Sequence, residues 1–286
     1  MAPKQTEPLI YFSYGMTKSG STLAFELVRT ALEYCGYEQC LLPTGLIDFG
    51  RNINYVDRLD SDQAEKVWEY VSRLGYPLVL KTHARPSPSV QKLLTSGRAM
   101  GHASYRDPRD LALSLMDAGR KAKIMSTAAI LDPRGLAHLP IDGRSRAKTP
   151  RKIAFSEITS LNAALMAIDH QQRTLAQWLK LPGIIPLDFE DVVHDKTETT
   201  EGIMARLNLE APAPKIINRV LEERFTQFNK GIQHRHQSEL SDQDSTRIRR
   251  EFPAFFQILI DGKHELPTDG RPVLLANNTP NIPMRK

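Results

Sequence analysis

Residues 9–22 read Leu-Ile-Tyr-Phe-Ser-Tyr-Gly-Met-Thr-Lys-Ser-Gly-Ser-Thr, and the fold follows from how this stretch is parsed. Leu9 to Tyr14 is a short apolar, aromatic-rich run of the kind that forms a buried strand. A glycine loop follows from Gly15 to Gly20. Ser21 or Thr22 then opens a helix expected to reach about Tyr34, with Leu23, Leu27 and Leu32 on its apolar stripe. A strand, a glycine loop and a helix in that order make backbone N–H groups and the helix dipole converge on an anion. Lys18 inside the loop and the hydroxyls of Ser19, Ser21 and Thr22 strengthen that reading.

Gly15 and Gly20 have the G-x-x-x-x-G spacing of nucleotide-binding phosphate loops. In those loops a Lys follows the second glycine and reaches the β- and γ-phosphates; here that position is Ser21 and the lysine is Lys18. A kinase or ATPase so built would lack its main γ-phosphate contact. The loop is therefore shaped for a different anion.

Working outward, Ser61 to Leu74 reads as an amphipathic helix, with Ser61 as N-cap, Val67, Trp68, Val71 and Leu74 inward, and Gly75 as its stop. Leu78 to Thr82 and Arg98 to Tyr105 are further strands. A helix starts near Asp110 behind Asp107-Pro108. Ser156 to Leu181 reads as one helix, Ile184 to Phe189 as a strand, and two or three helices follow to about Ile260. Strands alternating with helices predict an α/β fold, a single domain with a central parallel sheet flanked by helices and a P-loop-type phosphate-binding loop. That domain takes in residues 1–265, and the Pro- and Asn-rich residues 266–286 form an irregular tail. Ligands of such sheets sit at the carboxyl ends of the strands.

Two more motifs fall at those ends. Lys81 and His83 alternate to one side of an extended chain, placing a general base beside a cation. Arg106-Asp107-Pro108-Arg109-Asp110, with Ser114 eight residues after Arg106, offers a guanidinium fork and a hydroxyl to a phosphate monoester. Asp107 reads as a helix cap and Arg109 as a solvated side chain. His234 and His236 are too few ligands for a metal and read as part of a solvated loop. Cys35 and Cys40 match no zinc or redox spacing and read as reduced thiols.

The composition, 41% hydrophobic and 25% charged, excludes global disorder. No apolar run approaches the roughly 20 residues that span a bilayer, and the first residues lack a signal-peptide core, so a cytoplasmic protein is expected. The net charge of +5 is unevenly spread: residues 119–152 hold nine Lys or Arg against two Asp and no Phe, Tyr or Trp. A cationic block of this kind favours a local anion site over a nucleic-acid surface. It reads as a long excursion able to act as a lid, with Arg144, Arg146, Lys148, Arg151 and Lys152 drawing in anionic ligand.

The three motifs, in this order and spacing, resemble the PAPS-dependent sulfotransferases, which use 3′-phosphoadenosine-5′-phosphosulfate (PAPS). The resemblance spans Leu9 to about Gly231. It implies that Lys18-Ser19-Gly20-Ser21-Thr22 holds the 5′-phosphosulfate and that Arg106 and Ser114 hold the 3′-phosphate. It also implies that His83 is the catalytic base with Lys18 and Lys81 stabilising charge, that Lys230-Gly231 belongs to a loop closing on the 3′-phosphate, and that Asp188-Phe189-Glu190-Asp191 is the family's later acidic stretch. The donor would be PAPS, the product PAP, no metal would be required, and the acceptor would be a small molecule or carbohydrate carrying a hydroxyl or amine. The chain departs from the family at Leu23, where many cytosolic members have an adenine-stacking aromatic, at Asn229, often an Arg, and at Ala84-Arg85-Pro86, where Leu-Pro often follows the His. Acceptor class and oligomeric state do not follow from the sequence. The rival readings are a P-loop small-molecule kinase and a non-catalytic nucleotide-binding protein of the same fold.

Overall fold

A computed structural model describes residues 7–46, 53–131, 155–224, 232 and 234–261. Four strands, β1 (Ile10–Gly15), β2 (Leu78–Thr82), β3 (Ala99–Tyr105) and β4 (Ile184–Asp188), form one parallel sheet in the order β2-β1-β3-β4. The helices are α1 (Ser21–Tyr34), α2 (Ser61–Leu74), α3 (Pro88–Thr95), α4 (Pro108–Leu131), α5 (Leu161–Leu179), α6 (Phe189–His194), α7 (Lys196–Arg206), α8 (Ala213–Arg219), α9 (His236–Glu239), α10 (Asp242–Glu251) and α11 (Pro253–Asp261). A π-helical turn, Val220–Arg224, extends α8. The expected α/β fold with its parallel sheet between helices is present.

Both sheet faces are covered, which is why the strands read as apolar runs. Ile10, Phe12 and Tyr14 point to one side and pack with α2 to α5, α10 and α11. Tyr11 points to the other, where α1 and α6 to α8 lie. On the first side Trp178 stacks on Tyr14, ring centroids 5.2 Å apart, and its indole N–H donates to the Ala84 carbonyl at 2.9 Å. That bond ties α5 to the chain just beyond β2.

Several sequence expectations shift. Asp60, not Ser61, caps α2: its carboxylate accepts the Gln63 N–H while the Gln63 side chain returns to the Asp60 N–H, a reciprocal capping box. The helix expected from Ser156 starts at Leu161, because the Ser160 hydroxyl accepts the Ala163 N–H and Phe155 stands at φ 71°. The chain from Pro88 to Thr95, unassigned above, is helical, and Ser87-Pro88 was its signal as cap and first-turn proline. Six helices, not two or three, follow β4 among the described residues. The excursion expected from Gly119 also begins as helix, since α4 runs to Leu131. Gly119 is no breaker there: a Cβ on it would meet the Ile158 carbonyl oxygen at 2.0 Å, so the glycine serves close packing. The five basic residues expected to form a lid, and the tail, lie outside the described residues.

The sheet interior holds a polar triad that creates a pH dependence. His102 is fully buried, with Nδ1 3.2 Å from the Tyr11 hydroxyl and Nε2 3.0 Å from the Ser13 hydroxyl. Burial, with the Lys81 charge assisting, pushes its pKa down to about 3. Between that value and the ordinary 6.5 the unfolded chain binds the proton and the folded chain does not. Stability from this group is therefore complete above about pH 6.5 and is lost as pH falls, at about 1.4 kcal/mol per unit. Urea unfolding of the parent protein should lose about 2–3 kcal/mol more between pH 6.5 and 4.5 than that of His102→Gln. Equal losses in the two proteins would show that His102 stays uncoupled from folding.

Candidate functional site

Strand register brings the three motifs to one edge. Tyr14 pairs with Thr82 and Gly15 with Ser104. The glycine loop thus leaves the sheet between His83 on one side and Arg106 on the other, all at the carboxyl ends of neighbouring strands, which lie about 4.8 Å apart.

The loop is held open from within. Met16 N–H donates to the Ser104 carbonyl at 2.9 Å. The Ser19 hydroxyl is fully buried; it donates to the Met16 carbonyl at 2.7 Å and lies 3.0 Å from Ser104 Oγ. The Ser19 N–H also leans on the Met16 carbonyl, at 3.3 Å. Ser19 therefore shapes the loop, and its hydroxyl faces away from any ligand. Thr17 is fastened by a residue that no sequence pattern marks: Gln171 Oε1, on α5, accepts both the Thr17 N–H at 2.7 Å and its hydroxyl at 2.9 Å. The two are 154 positions apart and no local pattern links them.

What remains for a ligand is the start of α1. Gly20 is its N-cap in the left-handed region at φ 74°, with no side-chain cap. Helix geometry provides no internal acceptor for the first N–H groups, those of Ser21 and Thr22 among them. Lys18 is also left-handed, at φ 70°, and its ammonium lies 5.6 Å from the centre of the Phe155 ring. Burial, then the charge of Lys121, pulls the Lys18 pKa below its ordinary value. Lys18 thus stands two residues before an uncapped helix start, and such a start is a setting in which an anion is stabilised.

Lys81 is buried and donates to Thr22 Oγ1 at 2.8 Å, which sets its ammonium against the first turn of α1. His83 Nδ1 lies 2.5 Å from the Gly15 carbonyl oxygen. A carbonyl only accepts, so Nδ1 carries the proton and the lone pair resides on Nε2. The tautomer is the one a general base needs.

Arg106 is 4% exposed and stacks over Phe189, 3.8 Å from the ring centre. Its Nη2 donates to the Ile232 carbonyl at 3.2 Å, whereas its Nε is buried and has no hydrogen-bond partner among the described residues. Burial lowers its pKa and Asp110 opposes that. Asp107 caps α4 through the Arg109 N–H at 2.8 Å, as expected. Arg109 is not solvated: it forks onto Asp107 and lies over Phe256, 5.3 Å from the ring centre, because α11 packs there. Ser114 is buried on α4, one turn beyond Asp110. Lys230 and Gly231 lie outside the described residues.

The segment that carries His234 and His236 departs furthest from expectation. His236 is buried, and both its backbone N–H and its Nδ1 lie 2.9 Å from Asp110 Oδ1. Neighbouring Arg235 is buried too, donating to Asp117 at 2.8 Å and Glu239 at 2.7 Å. His234 is exposed, as a solvated loop would have it, but Arg235 and His236 are not, because Asp117 and Asp110 on α4 anchor them. Asp110, His234 and His236 bring potential ligand atoms within 4.8 Å of one another. Two facts oppose a cation there: Asp110 Oδ1 already accepts two N–H bonds, and its Oδ2 faces the Arg106 guanidinium 3.8 Å away.

No family model and no curated protein matches the chain. Among solved structures it is similar to retinol dehydratase in complex with androsterone and inactive cofactor PAP, with 15% identity over 91% of this chain and 83% of that one and a TM-score of 0.47. It is similar also to mouse sulfotransferase SULT7A1 complexed with PAP, with 13% identity over 90% and 87% and a TM-score of 0.47. Likeness at this level carries no chemistry, which must come from the site. Among the described residues no helix is long and apolar enough to cross a membrane.

Proposed function

We propose that the protein is a PAPS-dependent sulfotransferase acting on a hydroxyl or amine of a small-molecule or carbohydrate acceptor. One observation carries the reading: two anion-receiving positions, the uncapped start of α1 and the buried Arg106 with its unmet Nε, leave adjacent strands at the same edge, with an oriented imidazole on the opposite flank. A donor with one anionic group at each end of a nucleoside suits the first two. An acceptor at the third would complete the reaction.

In this reading the N–H groups at the start of α1 hold the 5′-phosphosulfate, and Arg106 with Ser114 holds the 3′-phosphate. Phe189 is not offered to the adenine, since Arg106 already lies on its face. The acceptor oxygen or nitrogen attacks sulfur while the bond from sulfur to the bridging oxygen breaks. The acceptor proton passes to His83 Nε2, and Lys18 stabilises charge growing on the bridging oxygen as PAP leaves. Lys81, held against Thr22, adds positive charge at the sulfuryl oxygens.

Ligand that binds only the native state raises the melting temperature by mass action, about 2.7 kcal/mol at one hundred times its Kd. PAP should therefore stabilise the protein markedly, and adenosine 5′-phosphate or ATP much less. Turnover with PAPS should persist in excess EDTA. Equal stabilisation by ATP and PAP, with activity that needs added Mg²⁺, would establish the kinase reading instead. Stabilisation by PAP with no turnover against a broad acceptor panel would leave a nucleotide-binding protein.

A further inference from the structure

Asp110 and Arg106 are buried side by side, and each has one polar atom unmet. Asp110 is fully buried; its Oδ1 accepts two N–H bonds from His236, while Oδ2 has no hydrogen-bond partner among the described residues and stands 3.8 Å from Arg106 Nη2. On Arg106, Nη2 is turned to the Ile232 carbonyl and Nε is the unmet donor. Carboxylate and guanidinium are thus neighbours that stop short of the fork-to-fork pair their chemistry favours. What holds them apart is the imidazole: with Nδ1–H and the backbone N–H both on Oδ1, the carboxylate is fastened on the His236 side. Arg235, anchored to Asp117 and Glu239, fixes that position independently of any ligand.

We infer that His236 is a positioning residue for the anion site, holding Asp110 so that the Arg106 guanidinium remains available to the 3′-phosphate of a nucleotide. The inference rests on the donor reading above for the identity of that anion. Without the imidazole, the buried Asp110 carboxylate would keep a single hydrogen bond, from the His236 backbone N–H, and a buried charge so thinly compensated is a costly state. The nearest remedy is to close on Arg106. A closed pair has spent both the positive charge and the hydrogen bonds that a phosphate requires, so the loss would fall on the 3′-phosphate and spare the rest of the nucleotide.

Titration calorimetry with PAP and with adenosine 5′-phosphate, on the full chain, separates these effects. The parent protein should prefer PAP. His236→Ala should cut that preference about tenfold, the value of one hydrogen bond to a charged group, with adenosine 5′-phosphate affinity unchanged within about twofold. His236→Gln, which keeps an N–H for Asp110, should restore most of the preference. In the parent protein, PAP but not adenosine 5′-phosphate should slow amide exchange across residues 235–239, a measurement that needs no variant to fold. If the parent prefers PAP and His236→Ala does so equally, the positioning role is overturned and the donor reading stands. Equal weakening of both nucleotides, or exchange protection by both, would make His236 a structural residue only. A parent protein with no preference for PAP would bring down the donor reading and this inference with it.

Discussion

His83→Asn should lower kcat by about 10²–10⁴-fold, the usual contribution of a positioned base, while the Kd for PAP stays within about threefold of the parent value. Asparagine is chosen over alanine because of what His83 does on its other side. Its Nδ1–H donates to the Gly15 carbonyl, the last residue of β1 before the anion loop. An Asn amide can keep that bond, so the loop is preserved and only the lone pair on Nε2 is removed. His83→Ala removes both, and its effect would mix lost base with a loosened loop. Single-turnover rates with PAPS and calorimetry with PAP on the same preparation make the comparison. A variant whose turnover falls less than about threefold would move the base elsewhere. Glu190, whose carboxyl is raised by burial against opposition from His234, would be next to test.

How much of this site was legible in the sequence depends on the range over which each part is built. The strand, loop and helix from Leu9 to Tyr34 are local, and hydrophobic period plus two glycines locate them to within a residue. The same holds for Lys81 and His83 at the end of β2. Once the sheet is parallel, register alone brings Thr82 beside Tyr14 and Ser104 beside Gly15. What escaped the sequence is the set of partners that make these residues usable. Gln171 holds Thr17 from another helix, and His236 reaches Asp110 across 126 positions. Each is a polar residue in a polar neighbourhood, and nothing in its own segment marks it for a distant partner. Ser19 erred in the opposite sense. Its place in the loop motif suggests a ligand contact, yet Ser104 on the adjacent strand claims its hydroxyl. Helix ends failed where a cap competed with the apolar period, as at Ser160, whose hydroxyl caps α5 so that it opens at Leu161, five residues after the expected start.

Lys18→Gly should separate stability from activity at one position. Lys18 occupies the left-handed region at φ 70°, where an L side chain costs about 1–2 kcal/mol and glycine costs nothing sterically. Glycine also gains freedom in the unfolded chain, which takes back part of that gain. The balance should be a stability increase of up to about 1 kcal/mol, read as a higher urea midpoint with the same slope. Turnover should move the other way. Lys18 stands two residues before an uncapped helix start, and burial leaves its ammonium poorly solvated. A cation so placed stabilises charge growing on a leaving oxygen far better than water does, and its removal should cost about 10²–10³-fold in kcat. The strained backbone is then retained for chemistry at the expense of stability, as strain at functional sites generally is. Lys18→Arg should keep charge and strain and recover only part of the rate, since the broader guanidinium head does not reproduce a compact ammonium. Should Lys18→Gly be less stable than the parent and equally active, Lys18 would be a packing residue held by Phe155, and the charge on the leaving oxygen would have to be met by Lys81 and the N–H groups of α1.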